Sequence, residues 1–586
     1  MNPIWKNTLR VVLIAAAFFL LAMPVLAKHP KIAPDLEGVD PSSTVDVIVQ
    51  FAHVPTASHH AMVMSRGGSL KARLDIVKGA AYRIQRRQLE SLADEPEVVY
   101  ISPDRKLKGM LDLTAAAVNA PTAWNSYSLT GAGIGVAIID SGLPDHRDLK
   151  NGRGSLRIVY QQDFTGAGTL DQYGHGGHVA GIVAGNGSHS NGSQFTRTFE
   201  GMAPKANLIN LRVLDQNGNS TDSIVISAID EAITIQSQYN IRVINLSLGR
   251  PVYESYAQDP LCQAVEAAWQ AGMVVVVAAG NDGRDNSADT NGYGTIYAPG
   301  NDPYVITVGA MKTMGTPQRY DDLIASYSSK GPTMVDHIVK PDIVAPGNMV
   351  VSIMSSGASL AQTYPQTLVP MSYYVTGGGS GSSSSYFMLN GTSMAAPVVS
   401  GAAVLLIQQN SSLTPDQVKA RLMLTAYKSF PSSSSVIDPT TGIVYTDFYD
   451  VFTVGAGYVD IAAALADTDV AVCSGSSSNS TAASVSATAA TSTNSAAGVG
   501  CALSPTAVFN ASTGTATLVP ASGSIWNTQT LWAAQTVWGA AQVLDSSGTL
   551  WGSQTLWGAQ TLWGQQSLWA QTNPLDTSII LINGEE

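Results

Sequence analysis

The amino-acid sequence predicts an α/β protein in which a parallel sheet is covered by helices on both faces. Apolar runs such as Ile134–Asp140 and Met273–Ala279 alternate with helical stretches along the middle of the chain. Continuous apolar strands between helices indicate a parallel sheet buried on both sides, and such a sheet carries its site at the carboxyl ends of its strands. The strands predicted here are Ile134–Asp140, Ala206–Leu214, Val243–Leu248 and Met273–Ala279, and the helices are His175–Gly185, Asp222–Gln236 and Leu261–Gln270.

The composition excludes several classes of function. The chain has 586 residues, of which 45% are hydrophobic and 13% charged, and its net charge is −12. The last basic residue is Lys428 and no basic patch dominates, so nucleic acid is not an expected partner.

Three cysteines, without a C-x-x-C or H-E-x-x-H motif, exclude a disulfide-dense scaffold and the common zinc sites. Cys473 and Cys501 bracket a flexible segment and could pair, whereas Cys262 is predicted to be a buried free thiol.

The N-terminal residues 1–27 have the pattern of a secretory signal peptide. Lys6 and Arg10 precede the apolar run Val11–Leu26, and Ala27 ends a small-residue cleavage site. The alternative is a transmembrane anchor, which the shortness of the run disfavours. We therefore expect a secreted, extracellular protein, with cell-surface association left open and no membrane span in the mature chain.

Residues 28–110 are predicted to form a small α+β unit. Ser43–Phe51 alternates like a strand, Leu74–Leu92 has helical periodicity, and Glu97–Ser102 reads as a second strand. A basic break, Arg105-Lys106-Leu107-Lys108, separates this unit from the α/β region at 111–468.

The C-terminal part of the chain divides into two segments. Residues 469–522, rich in Ser, Ala and Thr, are predicted to be a disordered linker. Residues 523–586 hold seven of the ten tryptophans, mostly six residues apart, in units such as Q-T-L-W-G-A. An even period places the side chains on one face of an extended chain, so we expect stacked short strands or turns. Two interpretations remain open: an aromatic strip that binds carbohydrate, cell envelope or another chain, and a self-packed β-module.

Four polar residues occupy places that favour nucleophilic catalysis. Asp140 ends a buried strand, His175 opens a helix in Y-G-H-G-G-H-V-A-G, and Ser393 precedes Pro397 in G-T-S-M-A-A-P, which places it at a helix N-terminus. A serine hydroxyl attacks once a neutral imidazole accepts its proton, and a carboxylate orients that imidazole. Asn281, at the end of V-V-V-V-A-A-G-N, is placed to donate to the oxyanion together with the backbone N–H of Ser393.

These motifs, D-S-G, H-G-G-H-V-A-G, A-A-G-N and G-T-S-M-A-A-P in that order, resemble those of the subtilisin-like serine peptidases. The resemblance covers residues 110 to 468 and implies a subtilisin-like fold and peptide-bond hydrolysis. It also implies that residues 28–110 are an inhibitor-like propeptide, an intramolecular chaperone and inhibitor cleaved off near Arg105–Leu113. Protein or peptide substrates would pair with the backbone of the substrate-binding edge beside an apolar pocket, and the residues implied are Ser247, Leu248, Gly249, Ala279 and Gly280.

The chain departs from the family pattern at three places. Gly177 replaces a usual Thr and is expected to loosen its turn, and Gly357–Ser385 is an insertion expected to form a lid or extra loop near the cleft. Asp148 resembles one calcium ligand of the family, but the Asn186–Thr198 loop diverges. The metal ligands are therefore unknown, structural calcium stays open, and the chemistry itself requires no cofactor.

The resulting interpretation is a secreted serine endopeptidase made as a proenzyme. His178, three residues from His175 on the same predicted helix, is interpreted as structural. The alternative is an inactive peptidase-fold adhesion or binding protein that acts through its Trp-repeat tail.

Overall fold

The computed structural model describes residues 29–33, 36, 39–75, 78–103, 113–287, 290–438, 441–471, 500–510, 515–527, 549–550 and 584–585. The predicted signal peptide, the predicted cleavage region, Cys473, most of the linker and most of the Trp repeat lie outside these residues. The chain divides into two compact units, one up to residue 108 and the other from residue 109.

The N-terminal unit is an α+β structure with a four-stranded antiparallel sheet in the order β2-β3-β1-β4. Its elements are β1 (Thr44–Phe51), α1 (Ala57–Ser65), β2 (Ser69–Leu74), β3 (Gly79–Gln85), α2 (Leu89–Ala93) and β4 (Val98–Pro103). The strands predicted at 43–51 and 97–102 are confirmed to within a residue.

The helix predicted at Leu74–Leu92 is wrong. Strand β3 occupies the middle of that range, and among its described residues only the 3₁₀ turn Arg86–Gln88 and the short α2 that follows it are helical. Strand β3 lies between β1 and β2 and is buried almost throughout, and the apolar pattern of such a strand cannot be separated from that of a buried helix by periodicity alone. The backbones approach closely there, since a Cβ at Gly79 would lie 2.8 Å from the carbonyl oxygen of Val49.

The larger unit is built on an eight-stranded sheet, which confirms the predicted parallel α/β core. Its order is β11-β10-β9-β8-β5-β7-β6, with β12 also paired to β10, and every pairing except β10–β11 is parallel. The strands are β5 (Gly135–Asp140), β6 (Ile158–Asp163), β7 (Asn207–Arg212), β8 (Ile241–Leu246), β9 (Val274–Ala278), β10 (Ile306–Lys312), β11 (Leu323–Ile324) and β12 (Ile343–Pro346). Strands β5, β9 and β10 are buried at every residue, as their continuous apolar sequences require.

Two groups of helices cover this sheet. The helices of the larger unit are α3 (Leu113–Ala117), α4 (Ala120–Ser126), α5 (His175–Ala184), α6 (Asp222–Thr234), α7 (Gln236–Tyr239), α8 (Pro260–Gln270), α9 (Ser359–Thr363), α10 (Met371–Tyr374), α11 (Thr392–Gln409), α12 (Pro415–Leu424) and α13 (Ile461–Ala466). Helix α5 packs on α11, and α6 packs on α8. Within the described part of the chain, α11 alone is long and apolar enough to cross a membrane, and 83% of it is buried inside the protein as a core helix.

The larger unit also contains smaller antiparallel sheets. The insertion predicted at Gly357–Ser385 contains α9, α10, β14 (Leu368–Pro370) and the start of β15 (Ser382–Leu389), which pairs with β13 (Val350–Ile353). Strands β16 (Ser433–Ile437) and β17 (Val444–Phe448) form a hairpin. Strand β19 (Thr515–Val519) pairs with β18 (Thr506–Asn510) on one side and with β20 (Thr549–Leu550) on the other.

The disordered linker predicted to extend to residue 522 is too long at its C-terminal end. Residues in the described segments 500–510 and 515–527 pack within the larger unit: Ala502 N donates to Asp416 Oδ1 at 2.7 Å, and Trp526 is only 2% exposed. The Ser/Ala/Thr bias of the linker obscured this change, because the packed residues are small or isolated in the sequence. Cys501 is disulfide-bonded and Cys262 is a buried free thiol, as predicted for Cys262.

Trp526 tests whether this segment belongs to the fold. Trp526→Ala should lower the free energy of unfolding of the larger unit by about 3–5 kcal/mol, because it empties a buried site and removes the bond from Nε1 to Leu503 O (2.8 Å). Val519→Ala, at a residue 47% exposed on β19, is the matched control and should change little. Equal denaturation midpoints for the two variants would contradict an integral role for the segment.

Candidate active site

The parallel sheet gathers polar groups at one edge. Asp140 is the last residue of β5, Ser247 follows β8 directly, and Asn281 follows β9 by three residues. Strands β5, β8 and β9 are neighbours that run in the same direction, so their carboxyl ends lie side by side. Helices α5 and α11, which begin at His175 and Thr392, supply the remaining groups.

Asp140 and His175 form a buried hydrogen-bonded pair. His175 Nδ1 lies 2.8 Å from Oδ1 and 3.0 Å from Oδ2 of Asp140, and Ser141 N donates to Oδ1 at 2.7 Å. Asp140 has no exposed surface, whereas the His175 side chain keeps 15% of its own. Because a carboxylate accepts, Nδ1 carries the proton and Nε2 of the neutral ring is left to act as a base.

The two histidines of α5 differ in their electrostatics. Burial by itself lowers the pKa of His175, but the charge of Asp140 and its hydrogen bond, with a smaller contribution from Asp171, raise the pKa above the ordinary value of 6.5. His178 is fully buried, and burial lowers its pKa to about 3 although its Nε2 contacts Val350 O at 2.9 Å. His178 is thus held neutral against the backbone, where a structural role was predicted.

Ser393 lies in the first turn of α11 and faces the end of β8. Among the described residues its hydroxyl donates to Ser247 O at 3.1 Å and makes no hydrogen bond to His175. In return, Ser247 Oγ donates to Ser393 O at 2.8 Å. Pro397 lies four residues beyond Ser393, in the second turn rather than the first as predicted, and it has no N–H to give to that carbonyl. The Ser247 hydroxyl therefore supplies the hydrogen bond that the helix lacks.

Asn281 is oriented by the residue before Ser393. Its Oδ1 accepts from Thr392 N at 2.9 Å and from Thr392 Oγ1 at 3.1 Å. A backbone N–H can only donate, so this contact identifies the amide oxygen, and the NH₂ group is the end of Asn281 that remains to donate. Asn281 and Ser393 line the same cleft.

The role of Asp171, a buried carboxylate at the start of α5, was not predicted from the sequence. Asp171 accepts four hydrogen bonds: from Ser141 Oγ (2.8 Å), Ser355 Oγ (2.7 Å), Gly174 N (2.7 Å) and Gly177 N (2.7 Å). The turn at Gly177 is thus fastened, contrary to the expected loosening, and a Cβ there would lie 2.7 Å from Ser355 Oγ. No sequence signal separated Asp171 from the exposed aspartates, since its partners come from distant segments.

A second buried network, also missed, positions Ser247. Ser400 Oγ of α11 donates to Asn245 Oδ1 at 2.8 Å, and Asn245 Nδ2 donates to Ser247 Oγ at 2.9 Å. These bonds link the helix that carries Ser393 to the strand that leads into the cleft.

The cleft has a volume of about 550 Å³. His175, Ser393, Asn281, Ser247, Leu248 and Gly249 all line it, together with apolar side chains that include Leu214, Val225, Leu261 and Met394. Ala279 and Gly280, predicted to wall the pocket, are not among the lining residues. Ala279 is fully buried, and Gly280 forms the turn, at a φ of +109° with Ser329 and Tyr297 too close for a Cβ.

The insertion reaches the cleft, as its predicted position near it suggested. Leu360 and Tyr364, on and just after α9, line one wall. The segment is held by hydrogen bonds from Leu360 N to Tyr173 O (3.1 Å) and from Ser359 N to Gln172 O (3.0 Å). The insertion therefore adds side chains next to His175.

Asp148, which resembles a calcium ligand of the family, has both of its carboxylate oxygens bound by protein donors. Its Oδ2 accepts from Tyr386 Oη at 2.6 Å and its Oδ1 from His189 N at 2.7 Å. Both oxygens thus have protein donors, and no group of three or more His, Cys, Asp or Glu side chains suited to a metal occurs among the residues described.

Comparisons with known proteins agree with this geometry. The sequence model described as the subtilase family matches residues 131–457. The chain is 36% identical over 366 residues to the serine protease AprX of Bacillus subtilis, which covers 60% of this chain and 75% of that protein. It is 32% identical over 300 residues to subtilisin E of the same organism, a match that covers 50% of this chain and 68% of that protein. It is 31% identical over 317 residues to an extracellular serine proteinase of a Thermus species, a match that covers 51% of this chain and 65% of that protein.

The His175 pKa provides a test of the pair. Asp140→Asn should lower the pKa of the His175 ring, because it removes the neighbouring charge that raises it against burial. Glu254→Gln, at an exposed residue of the larger unit, is the control and should leave the titration unchanged. Proton NMR of the histidine resonances measures both, and an unchanged or raised value in Asp140→Asn would rule out the electrostatic role.

Proposed function

The chain belongs to the subtilase family and is a serine endopeptidase, and we propose that it hydrolyses peptide bonds through Ser393, His175 and Asp140. The observation that carries this assignment is the hydrogen bond from His175 Nδ1 to the fully buried Asp140, with Ser393 lining the same cleft. The alternative, an inactive binding protein, is set aside because the relatives matched are named proteases.

The reaction begins with a change of partner at Ser393. Its Oγ leaves the carbonyl of Ser247 and donates to Nε2 of neutral His175, which takes the proton as Oγ attacks the peptide carbonyl carbon. The imidazolium formed is stabilised by Asp140, and it then protonates the leaving amine. Water repeats the sequence on the acyl-enzyme and regenerates Ser393.

Two donors stabilise the negative oxygen of the tetrahedral intermediate. One is the NH₂ group of Asn281, and the other is the backbone N–H of Ser393 in the first turn of α11, where N–H groups have no partner within the helix. Loss of a single such donor typically lowers kcat by about 10²–10³-fold.

The pH dependence follows from the raised pKa of His175. The base must be neutral, and a raised pKa keeps the ring protonated to higher pH. Activity is therefore lost on the acid side as the pH falls through a value above 6.5.

The substrate-binding edge is the segment after β8. An extended peptide would add a strand along Ser247, Leu248 and Gly249, with its principal side chain in the apolar part of the cleft beside Leu248. The wall formed by Leu360 and Tyr364 favours a large apolar side chain at a neighbouring position.

We assign the N-terminal unit to a propeptide and residues 1–27 to a secretory signal. The four-stranded α+β unit is compact in itself, as an intramolecular inhibitor requires, and one of the matched relatives is named an extracellular proteinase. Secretion as a proenzyme, with a Trp-rich tail that binds cell envelope or carbohydrate, completes the proposal.

Ser393→Ala should lower kcat on a peptide substrate by on the order of 10⁶-fold, because the three side chains act as a unit. Ser384→Ala, at an exposed serine of β15, is the matched control and should keep the wild-type rate. Hydrolysis of a chromogenic peptide measures both, after an immobilised protease has removed the N-terminal unit from each protein. Unchanged turnover in Ser393→Ala would refute the assignment of the nucleophile.

The same pair of variants tests maturation. Wild type and Ser384→Ala should appear in the medium with an N-terminus near Arg105–Leu113, whereas Ser393→Ala should keep the N-terminal unit because self-cleavage requires the nucleophile. N-terminal sequencing and intact mass report the difference. An identical mature N-terminus in Ser393→Ala would assign the cleavage to another protease.

A further inference from the structure

The last described residues of the chain occupy a closed site in the larger unit. Glu585 is 5% exposed as a residue and 2% exposed in its side chain, which is unusual for a charged residue. The groups around it come from the loop after β9, from the end of β10 and from the segment after β11. This site adjoins the cleft, because Asn390, which lines the cleft, also lies next to Gly584.

The carboxylate of Glu585 is bound by two cations and a serine. Its Oε1 lies 2.8 Å from Arg284 Nη2, its Oε2 lies 3.2 Å from Lys312 Nζ, and Ser326 N donates to both oxygens at 3.1 Å. Ser326 Oγ also contacts Oε1. Arg284 and Lys312 are themselves only 9% and 5% exposed, so Glu585 is bound by buried donors.

The backbone of Glu585 is bound as well. Glu585 N donates to Asn348 Oδ1 at 3.0 Å, and Asn348 Nδ2 donates to Glu585 O at 2.8 Å. One side-chain amide thus satisfies both backbone groups of the residue, as in recognition of a peptide by a binding domain.

The residue before it is restricted to glycine. Gly584 has a φ of +77°, and a Cβ there would lie 2.8 Å from Asn390 Oδ1 and 2.9 Å from Met349 Cγ. The site therefore selects the dipeptide Gly-Glu: the first position by close approach and the second by charge.

The charges explain why the site needs an occupant. Arg284 also pairs with Asp438 at 2.8 Å, and Lys330 pairs with Asp447 at 2.6 Å in the same neighbourhood. The cations are Arg284, Lys312 and Lys330, and the anions are Asp438, Asp447 and Glu585. Removal of Glu585 takes a paired carboxylate away from both Arg284 and Lys312, which is costly at low exposure.

We propose that Arg284, Lys312, Ser326 and Asn348 form a receptor for an acidic peptide with the sequence Gly-Glu, and that its occupant is the chain's own Gly584–Glu585. Docking fastens the far end of the Trp-rich tail to the larger unit, as a latch. The near end is already fixed where Trp526 packs, so both ends of the tail are held by one body.

The test uses protein that keeps its C-terminal residues and the peptide Leu-Ile-Asn-Gly-Glu-Glu, which repeats the sequence from Leu581 to Glu586. In the wild type, hydrogen exchange at the Glu585 amide should be at least about 10-fold slower than in the free peptide, because Asn348 holds it. Exchange at the rate of the free peptide would overturn the proposal, and this measurement requires no variant.

The variant Gly584→Val/Glu585→Ala should vacate the receptor. By fluorescence anisotropy, it should bind the labelled peptide at least about 10-fold more tightly than the wild type, whose site is occupied in cis. Substitution of Ala for Gly in the peptide, or addition of Arg284→Ala to the protein, should abolish that gain. A control protein with Glu254→Ala should behave as the wild type. Equal affinities for all proteins would overturn the proposal, and intact mass confirms that each protein keeps its C-terminal residues and that the labelled peptide stays uncleaved.

Discussion

The site depends on a carboxylate that is buried and must have a partner. Asp140 has no exposed surface, and an unpaired charge at such a position is strongly unfavourable. Its partners, Ser141 N and His175 Nδ1, resolve that cost, and in doing so they fix the ring orientation, the tautomer and the direction in which Nε2 faces the cleft. The raised pKa of His175 is the electrostatic counterpart of the same contact. The parallel sheet is what places this carboxylate beside the segments that carry Ser247 and Asn281, since all three lie at the carboxyl ends of neighbouring strands.

The same rule organises the surroundings of the site, where each buried polar group fixes a segment. Asp171 accepts four hydrogen bonds and so joins the loop after β5 to the start of α5. Farther away, Asp342 pairs with Lys340 at 2.7 Å and with Lys419 at 3.3 Å, and Ser504 of the C-terminal segment donates to it. These two cations hold the pKa of Asp342 below its ordinary value although burial alone would raise it. Such pairs add little net stability compared with apolar packing, but removing one partner is severe, so they specify which segment docks where.

Much of the fold and the reacting groups could be predicted from the sequence, because both rest on local patterns. The four central strands and their helices have the continuous apolar runs of a buried parallel sheet, and Asp140, His175, Asn281 and Ser393 stand at strand ends or helix starts. What could not be predicted depends on distant partners: Asp171, Asn245 and Ser400 acquire their roles from segments far away in the chain. The error at Leu74–Leu92 has a related cause, since the partners of β3, not its own periodicity, make it a strand. The packed segment from residue 500 was hidden by its small residues.

The two ends of the C-terminal region show how a tail of low sequence complexity can remain part of an enzyme. A chain fixed at one end explores a volume that grows with its length, whereas a chain fixed at both ends forms a loop whose closure cost rises only slowly with its length. Trp526 holds one end by apolar burial, which other large apolar side chains could also provide. Glu585 holds the other end by paired charges, which require a carboxylate. An apolar anchor at residue 585 would have to be distinguished from the many apolar residues in the sequence of the Trp repeat. A single carboxylate that matches a buried pair of cations avoids that competition, because the chain has no other Gly-Glu sequence.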